Sequence, residues 1–175
     1  YYADRIYQIN LAIAGIAVGT VVLPNLSKKI KEKNKNSINI LQNKSLELSL
    51  ALSLPAAFGL FIASKEIVSS LFGYGSFTQD DVRNTSLALM YFALGVPAFA
   101  LIKVLSSFYF ARDNTKTPFY ISFFSMVTNV FISLVFFKEY GFIIIPIATT
   151  ISSWLSVLIY FIFFNKNKII TFENK

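Results

Sequence analysis

Residues 6–24, IYQINLAIAGIAVGTVVLP, carry no charged side chain. At 1.5 Å per residue a helix of this length spans roughly 28 Å, close to the about 30 Å of hydrocarbon in a bilayer. Asp4 and Arg5 stand at one end of the run, and Lys28, Lys29 and Lys31 follow the other. Four more stretches have this character: 46–64 with Glu47 at its edge, 86–111 with Lys103 inside it, 119–137 and 142–164. A backbone in lipid must satisfy its own hydrogen bonds, so each stretch predicts a helix. A transmembrane barrel would need alternating segments of about ten residues, and these runs do not alternate. The expected fold is an all-α integral membrane protein: one transmembrane region over 1–175, a bundle of about five helices.

Composition agrees. The chain is 55% hydrophobic and only 14% charged, with mean hydropathy +0.59, where a soluble domain is about 25% charged. The formal net charge is +7. No basic stripe falls on a soluble fold, so the excess is read as the Lys/Arg bias of cytoplasmic loops, with no nucleic-acid partner. Cysteine and histidine are both absent. Disulfides, thiolate nucleophiles, imidazole bases and His/Cys metal sites are therefore excluded, and no metal or cofactor is expected. Tyr1 already lies beside an apolar run, and no initiator Met or signal peptide precedes it; the expectation is a piece of a longer chain.

The loops set an orientation. If every stretch crosses, Lys28, Lys29, Lys31, Lys33, Lys35, Lys44, Arg112, Lys116, Lys166, Lys168 and Lys175 share one side, and Lys65, Arg83 and Lys138 share the other. The richer side is cytoplasmic. The chain then starts outside, crosses five times and ends in the cytoplasm. Gly73 and Gly75 punctuate an outer turn, and Thr78 with Asp81 has the spacing of a capping box. Asp80 and Asp81 are adjacent on that helix, do not face each other, and read as capping rather than as a catalytic pair. Pro118 fits a first helical turn. Pro55, Pro97 and Pro146 fall within three of the stretches, where a proline kinks a helix; such helices build transporter hinges. Gly15 and Gly19, four apart, mark a close packing face.

Polar groups inside the membrane are the candidate site. Charge at the bilayer centre costs roughly 2.5–3.5 kcal/mol. Asp4 and Arg5 point about 100° apart on a helix, so neighbours in sequence do not neutralise each other. They are either interfacial, with Tyr1, Tyr2 and Tyr7 as an aromatic belt, or directed at a ligand. Lys103 either snorkels toward Arg112 or faces a water-filled cavity. Asn129, with Ser125 and Ser133 on its face, and Thr149 and Thr150 either bond between helices or offer oxygens to an alkali ion.

Three stretches together carry a resemblance: YADRIYQINLAIAGIAVGTVVLPNLSK (2–28), LSLPAAFGLFIASKEIVSSLFGYGSFTQDDV (52–82) and YFALGVPAFALIKVLSSFYFARDNTKTP (91–118). The last is the most specific. The chain resembles the lipid II flippase family, the MurJ or MviN proteins of the multidrug/oligosaccharidyl-lipid/polysaccharide exporter superfamily. The resemblance implies fourteen helices in two lobes around a central cavity, of which this chain matches helices eight to twelve, most of the second lobe. The first lobe and the remaining helices would be its partners, beside membrane lipids. It implies transport rather than catalysis: lipid II, the undecaprenyl-pyrophosphate-linked peptidoglycan precursor, crosses the bacterial cytoplasmic membrane by alternating access. Arg5 stands where the eighth helix of the family supplies a cavity arginine. Asp4 and Lys103 join it as substrate-binding candidates. Asn129 and Thr149 match positions of a sodium site in some members, so ion or membrane-potential coupling is implied. Ser133 stands where that site has a carboxylate, and Asn10 where the family has proline. The alternatives are a sister exporter of other polyprenyl-linked oligosaccharides or drugs, a polyprenyl transferase, whose acidic metal-binding motifs are missing from the loops, and a structural scaffold.

Overall fold

The computed structural model describes residues 1–166, without the side chains of Asn10 and Ile13. Lys168 and Lys175 of the basic count lie outside the described residues. Helix α1 (Tyr2–Leu11), a π-helical segment (Ala12–Ala17) and α2 (Val18–Lys31) run end to end as one rod. Then follow α3 (Lys35–Ile62), the short α4 (Ser64–Phe72), α5 (Gln79–Phe110), α6 (Lys116–Tyr140) and α7 (Ile144–Lys166). No strand occurs among the described residues. Four stretches are long and apolar enough to cross a membrane: Tyr2–Lys31, Lys35–Ile62, Gln79–Phe110 and Lys116–Lys166. The last folds back on itself at Gly141 into the α6–α7 hairpin.

The helices outrun the apolar stretches because a hydrogen-bond ladder does not stop at a charge. The span expected over 46–64 begins at Lys35 and ends at Ile62. Ala63, at φ −97° and ψ 18°, breaks the helix there, and α4 turns away amphipathically on buried Val68.

Helix α5 is the buried axis. Leu89, Ala93, Val96, Ala98, Ala100, Val104, Leu105 and Phe108 are all fully buried on it. Its small residues let neighbours come close: a methyl at Gly95 would meet the Thr150 hydroxyl of α7 at 2.9 Å. One apolar cluster, around Leu101, Leu105, Phe108 and Tyr160, joins α5 to α2, α3 and α7; another, around Leu89, Ala93 and Val96, joins it to α1, α3 and α4. Helix α6 contributes only Pro118 and Ile121 to the buried set and exposes Phe119, Phe123, Phe131 and Phe137. An apolar face of that kind fits hydrocarbon rather than water.

The two basic turns share one construction. In each, a residue at positive φ closes a Schellman motif: Lys33 (φ 54°) with Lys33 N–H to Ile30 O at 3.1 Å and Asn34 N–H to Lys29 O at 3.4 Å, and Asp113 (φ 57°) with Asp113 N–H to Phe110 O at 3.0 Å and Asn114 N–H to Tyr109 O at 3.1 Å. An asparagine then caps the next helix. Asn34 Oδ1 accepts from Ser37 N–H, and Asn114 Oδ1 from Thr117 N–H, both at 3.1 Å. At the other end Thr78 and Asp81 form the full capping box. Arg112 donates to Phe108 O at 2.7 Å, adding a cation at the C-terminus of α5. Burial lowers its guanidinium from the ordinary value.

The prolines are placed differently from the sequence expectation. Pro146 lies in the first turn of α7, where its missing N–H leaves no bond unmade. Pro24 is instead interior to α2, joining Pro55 in α3 and Pro97 in α5. Gly141 (φ 60°, ψ −143°) occupies backbone that side chains strongly resist. Gly141→Ala in the full-length protein is expected to cost about 1–3 kcal/mol, and Asn114→Ala about 1 kcal/mol. Both should lower the thermal midpoint in detergent, whereas Lys33→Gly should raise it by relieving about 1 kcal/mol of left-handed strain.

A polar wall on the first rod

The rod is held to α5 and to the end of α4 by aromatic contacts. Tyr7 stacks on Phe92 (4.8 Å between centroids) and Phe99 (5.3 Å), and Tyr2 packs on Phe72 and Phe77. Ala3 and Ile6 are buried against the bundle. Arg5, about 200° around the helix from Ala3, is therefore exposed on the open side.

Asp4 and Arg5 are joined indirectly. Gln8 Nε2 donates to Asp4 Oδ2 at 2.5 Å, and Arg5 Nη1 donates to Gln8 Oε1 at 3.4 Å. The amide of Gln8 thus bridges the two charges, which form no ion pair among the described residues. Arg5 also lies 4.9 Å from the centroid of the Tyr1 ring, within cation–π range. Gln8 is the member that reading the sequence for charge passes over. Its spacing of four from Asp4 and three from Arg5 is the signal, since those intervals meet on a helix.

Lys103 does not join this cluster. Its stem meets the rod at Gly15, where a methyl would sit 3.4 Å from Lys103 Cγ, and its backbone meets it at Gly19, where a methyl would sit 3.4 Å from Lys103 O. Gly15 is about 15 Å along the axis from Arg5. Lys103 is exposed and lines a groove of about 480 Å³ with Thr20, Ser106, Ser122 and Tyr160. Arg5, Ile9, Ala12, Ile16 and Thr20 are exposed in one helical stripe. The open face of the rod therefore carries Arg5 near one end and the Lys103 groove further down.

The π-helical segment lies at that crossing. The fit is tight: a methyl at Gly15 would lie 3.0 Å from Ala100 Cα. The Ala14 carbonyl accepts from Ser49 Oγ at 3.1 Å, so the irregular turn keeps its buried acceptor satisfied.

Asn129 and Thr149 do meet, between α6 and α7. Asn129 Nδ2 donates to Thr149 Oγ1 at 2.9 Å, and Thr149 Oγ1 donates to Ile145 O at 2.8 Å. Ser125 Oγ donates to Ser152 O in the same seam. Thr150 Oγ1 and Trp154 Nε1 donate to Tyr91 O and Leu94 O of α5. An alkali ion needs oxygen lone pairs. Here Thr149 already accepts the Asn129 amide, Asn129 turns its nitrogen inward, and Ser133 brings a hydroxyl where a carboxylate was sought. The pair is thus arranged as an interhelical hydrogen bond, with the buried Ser133 hydroxyl without a partner one turn away on α6.

The family model described as Lipid II flippase MurJ matches residues 1–175. The chain belongs to the lipid II flippase MurJ family. It is 40% identical over 156 residues to a probable lipid II flippase MurJ of Rickettsia prowazekii, covering 89% of this chain and 31% of that protein. It is 34% identical to the probable lipid II flippase MurJ of Vibrio cholerae, covering 90% and 30%. A solved structure, lipid II flippase MurJ in an inward closed conformation, superposes with a TM-score of 0.85 at 32% identity, over 94% of this chain and 34% of that one. The chain thus spans about a third of the length of the relatives it matches. Family and apolar helices together make it a multi-pass inner-membrane protein.

Asn129→Ala removes one interhelical bond and is expected to lower stability of the full-length protein by about 0.6–1 kcal/mol. The loss of thermal midpoint should be equal in sodium and potassium buffers. A loss confined to sodium would mean that an ion, not the Thr149 hydroxyl, is the partner of Asn129.

Proposed function

We propose that the open face of the first rod is one wall of the path taken by lipid II, and that the full-length protein flips it across the membrane by alternating access. The observation that carries this is Arg5: a guanidinium at the end of a membrane rod, turned away from its own bundle, with a Gln8 oxygen at 3.4 Å and the Tyr1 ring as neighbours instead of a carboxylate. A planar, permanently charged fork suits the oxygens of a diphosphate. Asp4 does not cancel that charge; it holds Gln8, and Gln8 steers the fork. Lys103 offers a second cation about 15 Å further along the same face, in a groove lined by hydroxyls. The headgroup would pass between these stations while the prenyl tail stays in lipid. The names of the relatives support the substrate, and the rest of the wall belongs to the two thirds of those proteins that this chain does not span. The process is transport; no bond of the substrate is broken.

In this reading Tyr1 begins on the outer side and the Schellman turns at Lys33 and Asp113 lie in the cytoplasm. The native sequence has no cysteine. In intact cells, Ser76→Cys should react with an impermeant thiol reagent and Asn36→Cys should be shielded; the reverse pattern would invert the topology.

Arg5 is tested by rescue of flippase-depleted bacteria with the full-length protein, its abundance measured in parallel. A charged hydrogen bond is worth about 1.5–3 kcal/mol, so Arg5→Ala should cut flipping roughly 10- to 100-fold at normal abundance. Arg5→Lys keeps charge without the fork and should be intermediate, and Gln8→Ala milder. Full rescue by Arg5→Ala at normal abundance would make Arg5 an interfacial anchor and end the assignment.

A further inference from the structure

A second cluster of charge lies at the end of the bundle away from the Schellman turns. Lys65, at the start of α4, and Arg83, in the second turn of α5, line one cleft of about 430 Å³. Asp80 shares its mouth and Ser64 its side; Leu87 and Met90 complete it. Arg83, Leu87 and Met90 are spaced by four and three, so they form one stripe of α5. Leu87 and Met90 lie about 6 and 10 Å deeper along the axis than Arg83. Lys65 and Arg83 are exposed, whereas Leu87 and Met90 are half-buried. The cleft is therefore cationic at the rim and apolar beneath. Ile62, two residues before Ser64 in the chain, is 77% exposed at the end of α3. Among the described residues neither Lys65 nor Arg83 has a carboxylate within ion-pair distance.

We propose that this cleft binds an anionic glycerophospholipid, with its phosphodiester between Lys65 and Arg83 and an acyl chain along Leu87 and Met90. Neither residue belongs to the wall around Arg5, and the proposal requires only that the chain sits in a membrane. The charges that line the cleft point to the ligand class; Glu66 and Asp81, next to them in the chain, are not in its lining. Lys65 and Arg83 against Asp80 leave one positive charge, which a phosphodiester bearing one negative charge balances. A diphosphate would bring at least one negative charge too many beside Asp80. A zwitterionic lipid gains less, because its own cation is set against Lys65 and Arg83.

The test uses the full-length protein in detergent, with bound lipid counted by native mass spectrometry. The probes are phosphatidylglycerol, phosphatidylcholine and undecaprenyl diphosphate. The unaltered protein should retain phosphatidylglycerol over phosphatidylcholine. Lys65→Gln with Arg83→Gln should weaken phosphatidylglycerol by about tenfold or more and leave phosphatidylcholine unchanged. Arg83→Lys should keep most of the binding. Arg5→Ala should leave it intact, so failure of the Arg5 reading and failure of this one are separable. Equal retention of the two phospholipids by the unaltered protein overturns the proposal, and that comparison needs no variant to fold. Undiminished phosphatidylglycerol binding by the double variant overturns it as well. A preference for undecaprenyl diphosphate that Lys65→Gln with Arg83→Gln abolishes would hand the cleft to the substrate and likewise overturn it.

Discussion

At Gly15 the first rod approaches α5 so closely that one added methyl would lie 3.0 Å from the Ala100 Cα. Much of the bundle is arranged around that contact. In lipid, helices gain little from burying apolar surface against each other, so close packing and the few available hydrogen bonds hold them together. The glycine face allows the approach. The π turn falls at the same place, and Ser49 of α3 supplies the hydrogen bond for Ala14. The stem of Lys103 lies against the same glycine.

The same economy recurs on the other side of α5. Helix α7 donates Thr150 and Trp154 to α5 carbonyls at Tyr91 and Leu94. These flank Ala93, whose carbonyl loses its usual partner to Pro97. Hydroxyls and an amide then fasten α6 to α7, while the remainder of α6 stays apolar and exposed. Polar side chains are thus divided between two uses. On the α5–α7 and α6–α7 seams, Thr150, Trp154, Ser125 and Asn129 are spent on neighbours. Those on the open face of the first rod, Arg5 above all, keep capacity for something outside the bundle.

That division gives the proposed transport a physical basis. A wall of the path needs fixed cations that the protein has not neutralised itself. Arg5 meets the condition because Asp4 reaches it only through Gln8. Lys103 meets it because its stem lies against Gly15 rather than an acid.

The helical character, the membrane setting, the long apolar stretches and the residues with unusual charge were all legible in the sequence. Each depends on local composition: hydrocarbon length fixes the run, and the backbone fixes the helix. The capping box at Thr78 and the first-turn role of Pro118 were legible for the same reason. The true kink prolines were not, because Pro24 and Pro146 exchange roles only once helix ends are known, and those ends extend past the apolar runs into charged residues. The Schellman turns at Lys33 and Asp113 were hidden because neither carries the glycine that signals them. Which polar groups face a neighbour and which face outward was decided by tertiary packing alone. That choice rests on helix rotation about α5 and on Gln8 bridging Asp4 and Arg5. Rotation is set by contacts between residues as distant as Gly15 and Ala100, and no pattern within a single helix contains them.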